Sequence, residues 1–231
     1  MSASSYALTC ALFLPLAASA AELSFPFTDL RLNLGIATPV KTTQLNGIVP
    51  SDGAPTDDDR IAGSYRISPH VGLQWMKGSM NREGVGWFCG AEVAWDLHRG
   101  QATELDGHAG TFGSDGKLSL NTWTGTLSAG PALQADLRDM GVRADTFRVE
   151  VGPTVGAGVA SARVGSNASS NGYVWSLGAA MTMVTTLSDG LTLSIGGGYE
   201  YSRARVRWSN SADSSVTAAG ALARLGVGYR W

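Results

Sequence analysis

Apolar residues recur at every second position along most of this chain, and this period is the feature that most restricts its fold. Side chains two positions apart lie on the same face of a β-strand, so each such segment is predicted to be a strand with one apolar face. The first segment has Leu30, Leu32, Leu34 and Ile36 on one face, opposed by Arg31, Asn33, Gly35 and Ala37. The chain has eight such segments in all, and their apolar faces begin at Leu30, Tyr65, Val85, Trp123, Phe147, Tyr173, Leu191 and Ala219. Eight strands are enough to close a β-barrel around an interior filled by side chains.

The connections between these segments alternate in length. The polar segments 38–60, 100–118, 164–172 and 208–215 alternate with the mostly shorter segments 78–84, 139–143 and 188–190. Long and short connections therefore fall at opposite ends of the predicted barrel. Even-stranded membrane barrels show this asymmetry, with short turns at the periplasmic end and long loops outside.

The distribution of charge between the two faces separates a membrane barrel from a soluble one. In a soluble barrel the apolar side chains point inward and the charged ones point outward. Here the apolar face has no charge between the strand ends, and the other face carries Arg66, Glu92, Arg148, Glu150, Glu200 and Arg224. A charge that faces lipid at the middle of a bilayer costs about 2–4 kcal/mol, so the charged face is predicted to line the lumen. A soluble periplasmic binding barrel is therefore rejected.

Aromatic side chains are predicted to fall near both ends of the strands. If the first strand runs outward, the group at the periplasmic rim is Trp75, Trp87, Phe147, Tyr229 and Trp231. The group toward the outer rim is Tyr65, Trp95, Trp123, Tyr173, Trp175, Tyr199 and Tyr201. Rings with a polar edge favour the headgroup boundary of a bilayer. The sequence therefore predicts an all-β fold, an eight-stranded antiparallel up-and-down transmembrane β-barrel.

Three prolines fall inside the predicted strands and lack the N–H group that a strand ladder needs. They are Pro69, Pro131 and Pro153. A closed barrel has no free edge to accept them, so we expect β-bulges, with Gly130 and Gly152 allowing the local bend.

The chain ends in Leu225-Gly-Val-Gly-Tyr-Arg-Trp231, with apolar residues at alternate positions before a terminal aromatic residue. In this ending and in its strand pattern the chain resembles the small eight-stranded outer-membrane β-barrel proteins of the OmpA-barrel, OmpX and opacity type. The resemblance implies a location in the bacterial outer membrane and contact with its lipid and lipopolysaccharide. It also implies that the barrel-assembly machinery recognises Leu225, Val227, Tyr229 and Trp231, although the family more commonly ends in Phe than in Trp.

The N-terminal residues predict export from the cytoplasm. The apolar run Cys10–Ala18 is too short to span a bilayer, and Ala18-Ser19-Ala20 has the small residues of a cleavage site. We expect residues 1–20 to be a cleaved signal peptide and residues 21–231 to form the barrel domain. No Lys or Arg precedes the apolar run, which departs from the usual form of such a signal.

Two groups of charged residues are candidates for function. The six charges of the lumen face are expected to pair and close the lumen, because isolated charges in a dry interior are costly. A small gated pore is the alternative. Five arginines near the loop rim point outward by strand parity, and they are Arg99, Arg163, Arg203, Arg205 and Arg207. Planar guanidinium groups suit phosphate, so we expect them to contact lipopolysaccharide head groups, with ordinary solvated arginines as the alternative.

An outer-membrane enzyme that modifies lipid A is the rival function. Such an enzyme needs a serine, a histidine and an orienting carboxylate. Asp96 and His98 share the inward face, and Ser128 is a conceivable nucleophile. That face is the lumen rather than the bilayer, and no GxSxG motif is present, so we expect no catalysis.

The sequence gives little support for a calcium ion, a zinc ion or a nucleic acid as a ligand. Asp57-Asp58-Asp59 offers oxygen ligands for Ca²⁺ without EF-hand spacing, so a solvated acidic loop is favoured. The two cysteines, Cys10 and Cys89, and the three histidines form no zinc-binding pattern. A net charge of −2 gives no reason to expect a nucleic-acid partner. We expect a monomer without a metal or cofactor, with a structural or interactive role in the envelope.

Overall fold

The computed structural model describes most of the chain from Phe25 to Trp231. The described residues are 25–39, 43–47, 61–65, 68–105, 108–109, 117–138, 143–165, 170–207 and 213–231. The predicted signal peptide, the Asp57–Asp59 run and Arg66 lie outside them. No helix within these ranges is long and apolar enough to cross a membrane.

Almost all regular structure in the described ranges is β-strand. The long strands are β1 (Phe25–Pro39), β4 (Ser68–Met80), β5 (Val85–Leu105), β7 (Lys117–Asp136), β8 (Ala144–Val164), β9 (Ser170–Leu187), β10 (Leu191–Arg207) and β11 (Asp213–Arg230). The short strands are β2 (Thr43–Gly47), β3 (Ile61–Tyr65) and β6 (His108–Ala109). Every pairing between them is antiparallel.

The eight long strands form one closed ring. Each pairs with its neighbours along the chain, and β1 pairs with β11 to close the sheet, with Leu34 opposite Leu225. The predicted eight-stranded up-and-down barrel is therefore confirmed. The short strands are an addition that the sequence pattern missed. β2 pairs with the beginning of β11 and with β3, and β3 and β6 both pair with the end of β5, at the end of the barrel opposite the short turns.

The turns at the other end are specified by residues with known turn chemistry. The Asn81 side-chain oxygen accepts a hydrogen bond from the Val85 N–H at 2.8 Å, and the Asp189 side chain accepts one from the Leu191 N–H at 3.0 Å. Gly84 and Gly190 have φ angles of 77° and 85°, which glycine adopts without strain. These turns fix the register of the hairpins on either side.

The two faces of the barrel have the polarity that the period predicted. Leu73, Val93 and Leu225 point outward and are 52%, 60% and 64% exposed. Arg148 and Glu150 point inward and are 0% and 2% exposed. This arrangement is inverted relative to a soluble barrel.

The predicted β-bulges at Pro131 and Pro153 are wrong. The β7–β8 ladder keeps one register on both sides of these prolines, from Ser128 opposite Thr154 to Ala132 opposite Glu150, and only the pairs between them are missing. The two prolines lie on adjacent strands, and both fall among the residues whose pairs are missing. One short interruption of the β7–β8 ladder therefore accommodates both missing N–H groups. Gly130 allows close approach there, since a Cβ at this position would collide with the Val151 carbonyl.

Candidate functional site

Five charged side chains meet in the lumen near the end that carries the short turns. We call Asp29, Arg31, Arg148, Glu150 and Arg230 the inner charge cluster. Asp29 accepts hydrogen bonds from Arg31 at 2.6 Å, from Arg230 at 2.9 Å and from Arg148. Glu150 accepts hydrogen bonds from both terminal nitrogens of Arg31, at 2.8 and 2.9 Å, and from Nε of Arg148 at 2.8 Å. These bonds join β1, β8 and β11 across the interior.

An apolar group fills the lumen beside this cluster. Phe27, Met76, Met80, Phe88 and Ala132 are all buried and form one cluster, which we call the apolar plug. The Phe27 ring lies 3.7 Å from the guanidinium carbon of Arg148 and 5.4 Å from that of Arg230. Cation–π contacts of this kind stabilise a desolvated guanidinium group. This end of the barrel is therefore packed like an ordinary protein core.

A second polar group, the middle cluster, lies farther along the lumen and consists of Asn33, His70, Glu92, Asp96 and Arg224. Glu92 accepts hydrogen bonds from Arg224 at 2.7 Å and from Asn33 at 2.8 Å. His70 lies between two carboxylates, with Nδ1 2.7 Å from Asp96 and Nε2 3.6 Å from Glu92. The cluster links β1, β4, β5 and β11.

The outer half of the lumen contains a cavity of about 90 Å³. Four residues of the middle cluster line it, namely His70, Glu92, Asp96 and Arg224, and Thr122, Thr124 and Thr126 line the β7 wall. Glu200 also lines the cavity, and it makes no ion pair with any described residue. A space of this size, lined in part by polar groups, is large enough for several water molecules.

Four of the six predicted lumen charges are in ion pairs, namely Glu92, Arg148, Glu150 and Arg224. Glu200 faces inward without such a pair, and Arg66 lies outside the described residues. The prediction missed Asp29, Arg31, His70, Asp96 and Arg230 as members of these clusters. The alternation along the strand could have identified two of them, because Asp29 and Arg31 lie on the same face of β1 as Asn33, which was predicted to face the lumen.

The five outward arginines form two groups near the end opposite the short turns. Arg99 and Arg163 lie on β5 and β8, on either side of Ser119 of β7. Arg203, Arg205 and Arg207 occupy alternate, exposed positions of β10. Arg205 lies 3.5 Å from the Tyr173 hydroxyl. The predicted outward orientation of all five is therefore what the structure shows.

Aromatic residues point outward near both strand ends, as expected. Trp87 and Tyr229 lie near the short turns, and Trp123 and Tyr173 lie near the opposite ends of β7 and β9. Trp95 donates a hydrogen bond from Nε1 to the Asn121 side chain at 2.6 Å. An indole with a satisfied N–H is suited to the boundary between lipid and water.

The residues of the rival enzyme hypothesis do not converge. The register places His98 opposite Leu120 and Ser128 opposite Gly90, which separates them by about 26 Å along the strand direction. Asp96 bonds His70 instead, and His98 Nδ1 lies 3.0 Å from the hydroxyl of Ser68, which is fully buried. No group of His, Cys, Asp and Glu in the described ranges is arranged to hold a metal ion.

The C-terminal residues are fully part of the barrel wall. Leu225, Val227, Tyr229 and Trp231 all point outward and are exposed. The Trp231 N–H donates to the Thr28 carbonyl at 3.1 Å, which extends the β1–β11 seam to the last residue.

No family model matches the chain, and no curated protein matches it. Three solved structures are similar to it over most of its length. OprG from Pseudomonas aeruginosa is 14% identical, with 89% of this chain and 95% of that chain covered and a TM-score of 0.45. Neisserial surface protein A is 10% identical, with 87% and 98% covered and a TM-score of 0.37. Ail, the attachment invasion locus protein of Yersinia pestis, is 11% identical, with 88% and 98% covered and a TM-score of 0.32.

Proposed function

We propose that this protein is an integral barrel of the bacterial outer membrane with a structural and interactive role. It helps to maintain the envelope and presents its loops outside, with a closed lumen and no catalysis. The observation that carries this proposal is the inverted polarity of the barrel, apolar outside and charged within.

An apolar belt of this extent indicates a lipid environment. Large side chains such as Leu34, Ile195 and Leu225 are each more than half exposed on the barrel surface. Soluble monomers rarely expose contiguous apolar patches beyond a few hundred Å². A closed barrel satisfies its backbone hydrogen bonds internally, which is what a bilayer requires of a strand-built span.

A closed lumen is supported by the packing of its inner half. The apolar plug and the inner charge cluster occupy the same end of the barrel, and Asp29, Arg31 and Arg148 have no exposed side-chain surface. Paired charges that also donate and accept hydrogen bonds are stable in such an interior. The outer cavity is therefore a blind space rather than part of a pore.

We expect no stable conductance steps when the intact, refolded barrel is inserted in planar lipid bilayers. The inner charge cluster and the apolar plug leave no continuous aqueous path for ions. Recordings are compared with protein-free bilayers and with heat-denatured protein, and insertion is verified by protease protection. A large, stable conductance from the intact barrel contradicts the closed lumen and supports the small gated pore.

We also propose that the outward arginines bind the phosphate groups of lipopolysaccharide. Arg205 adjoins Tyr173 at the aromatic boundary, where head groups of the outer leaflet lie. Arg99 and Arg163 lie two strands apart, about 10 Å between backbones, on either side of Ser119. Neighbouring guanidinium groups at this spacing suit an anionic head group that carries more than one phosphate.

Replacing Arg99, Arg163, Arg203, Arg205 and Arg207 together with Gln is expected to weaken lipopolysaccharide binding about tenfold or more. Binding is measured by titrating lipopolysaccharide into the refolded barrel at several salt concentrations. The control replaces Arg82, Arg138 and Arg143, which are exposed at the opposite rim, and should bind like the wild type. If the five-residue variant binds as tightly as the control, these arginines are ordinary solvated residues.

The C-terminal strand is proposed to carry the assembly signal. Leu225, Val227, Tyr229 and Trp231 present one continuous outward face on the strand that closes the ring against β1. A partner that delivers this strand to the membrane can contact that face before closure. The same proposal includes export by the signal peptide at residues 1–20 and a monomeric barrel.

A further inference from the structure

The inner charge cluster contains more positive charge than negative charge. Three guanidinium groups, of Arg31, Arg148 and Arg230, face two carboxylates, of Asp29 and Glu150. Three buried guanidinium nitrogens also lack an acceptor: Arg31 Nε, Arg148 Nη1 and Arg230 Nη2. A buried donor without a partner costs about 1–3 kcal/mol, and more when it is charged.

Two threonines beside this cluster also lack partners. Thr186 and Thr192 are 5% and 1% exposed, and neither hydroxyl oxygen makes a hydrogen bond. They are direct cross-strand neighbours on β9 and β10, so their Cβ atoms lie about 5 Å apart. Thr186 is in turn opposite Thr146, whose hydroxyl accepts a hydrogen bond from Arg230 Nη1 at 3.2 Å. Arg230 therefore reaches across the lumen to the threonine row.

The other end of the same row has no side chain. Thr192 pairs with Gly228, and Gly228 pairs with Arg31. A Cβ at Gly228 would lie 2.9 Å from Arg31 Cγ, so the glycine leaves this position to the arginine. The row thus places the unpartnered Nε of Arg31 on β1 at one level of the barrel with the unpartnered hydroxyls of Thr192 and Thr186 on β10 and β9, and Gly228 of β11 lies between Arg31 and Thr192.

We propose that the inner charge cluster binds one small inorganic anion of the halide class, held by Arg148, Arg230 and the hydroxyls of Thr186 and Thr192. The unpartnered groups are all able to donate, and a water molecule would satisfy donors without balancing the charge. A single negative charge neutralises the excess of three cations over two carboxylates. Larger anions do not suit a site packed against the Phe27 ring and closed to solvent at Arg148. Arg230, at 16% exposure, gives the ion its access from the short-turn end.

The direct test is a crystal structure of the refolded full-length barrel grown in sodium bromide. An anomalous difference peak is expected within hydrogen-bond distance of Arg148 Nη1 or Arg230 Nη2. The peak should be lost in the double variant Thr186→Val, Thr192→Val, which keeps the shape of both side chains and removes both hydroxyls. It should persist in Arg138→Gln, an exposed arginine at the same rim. Ordered water or empty density at these donors in the wild type overturns the proposal.

A solution measurement gives a second, independent readout. The thermal unfolding midpoint of the wild type should rise by several degrees when sodium gluconate is replaced by sodium chloride at constant ionic strength. Arg230→Gln removes the excess charge and should abolish this dependence, whereas Arg138→Gln should retain it. Equal chloride dependence in all three proteins overturns the site. The barrel stays closed to ions in planar bilayers under either outcome, so the result is separable from the closed lumen proposed above.

Discussion

The substitution Asp29→Asn is expected to lower the free energy of unfolding by about 3–5 kcal/mol, or to prevent folding altogether. Asp29 is fully buried and accepts hydrogen bonds from Arg31, Arg148 and Arg230. The amide of Asn has almost the same shape, but it carries no charge and turns one acceptor into a donor that faces guanidinium groups. The change therefore leaves three guanidinium groups, two of them fully buried, with Glu150 as the one carboxylate of the cluster. Urea unfolding of the barrel in lipid vesicles, followed by tryptophan fluorescence, measures the loss.

The matched control for this experiment is Asp136→Asn. Asp136 also pairs with an arginine, Arg138, but both side chains are more than half exposed at the rim. Water solvates each of them when the pair is broken, so the control should unfold like the wild type. Equal stability of the Asp29 variant and the control would show that the inner charge cluster contributes nothing to the fold.

A second large effect is expected from Ile195→Arg. Ile195 is 58% exposed on the outer face of β10, within the apolar belt. An arginine placed near the bilayer midplane of a barrel costs about 2–4 kcal/mol, because its guanidinium group must reach the interface or draw water into the lipid. The free energy of unfolding in lipid vesicles should fall by that amount.

Val85→Arg provides the depth control. Val85 is 49% exposed and is the first residue of β5, next to a short turn. A charge at the interface costs only about 0–1 kcal/mol, so this variant should unfold nearly like the wild type. If both substitutions have the same small effect, the apolar face does not lie in lipid. That outcome would remove the basis of the proposed function.

The outward or inward direction of each side chain was predictable from the sequence, since it depends only on the position of a residue within its strand. The alternation that contains Leu225 and the one that contains Arg148 both place their side chains correctly. The partners of the lumen charges were not predictable in the same way. Arg31 and Glu150 lie 119 positions apart and belong to strands that are not neighbours in the ring. Their contact follows from the diameter and register of the closed barrel, and neither is visible in a local pattern.

The prediction at the prolines failed for a related reason. A single proline inside a closed ladder is expected to require a β-bulge, because it lacks the N–H group that the ladder needs. The register of β7 and β8 places Pro131 and Pro153 in the same gap, so one interruption accommodates both. The additional short strands were not predicted because they pair with the ends of long strands, beyond the segments in which apolar residues clearly alternate.

The position of Asp29 has a consequence for how the ring forms. Asp29 lies on β1, the first strand of the ring. It forms ion pairs with Arg230 on β11, the last strand, and with Arg148 on β8, which lies on the opposite side of the barrel. A sheet that is still open at its seam keeps the pairs within single strands, Asp29 with Arg31 and Arg148 with Glu150, but it lacks the contact of Asp29 with Arg230 across the seam. Joining the two edges of the sheet and completing the ion pairs of the inner charge cluster are therefore coupled.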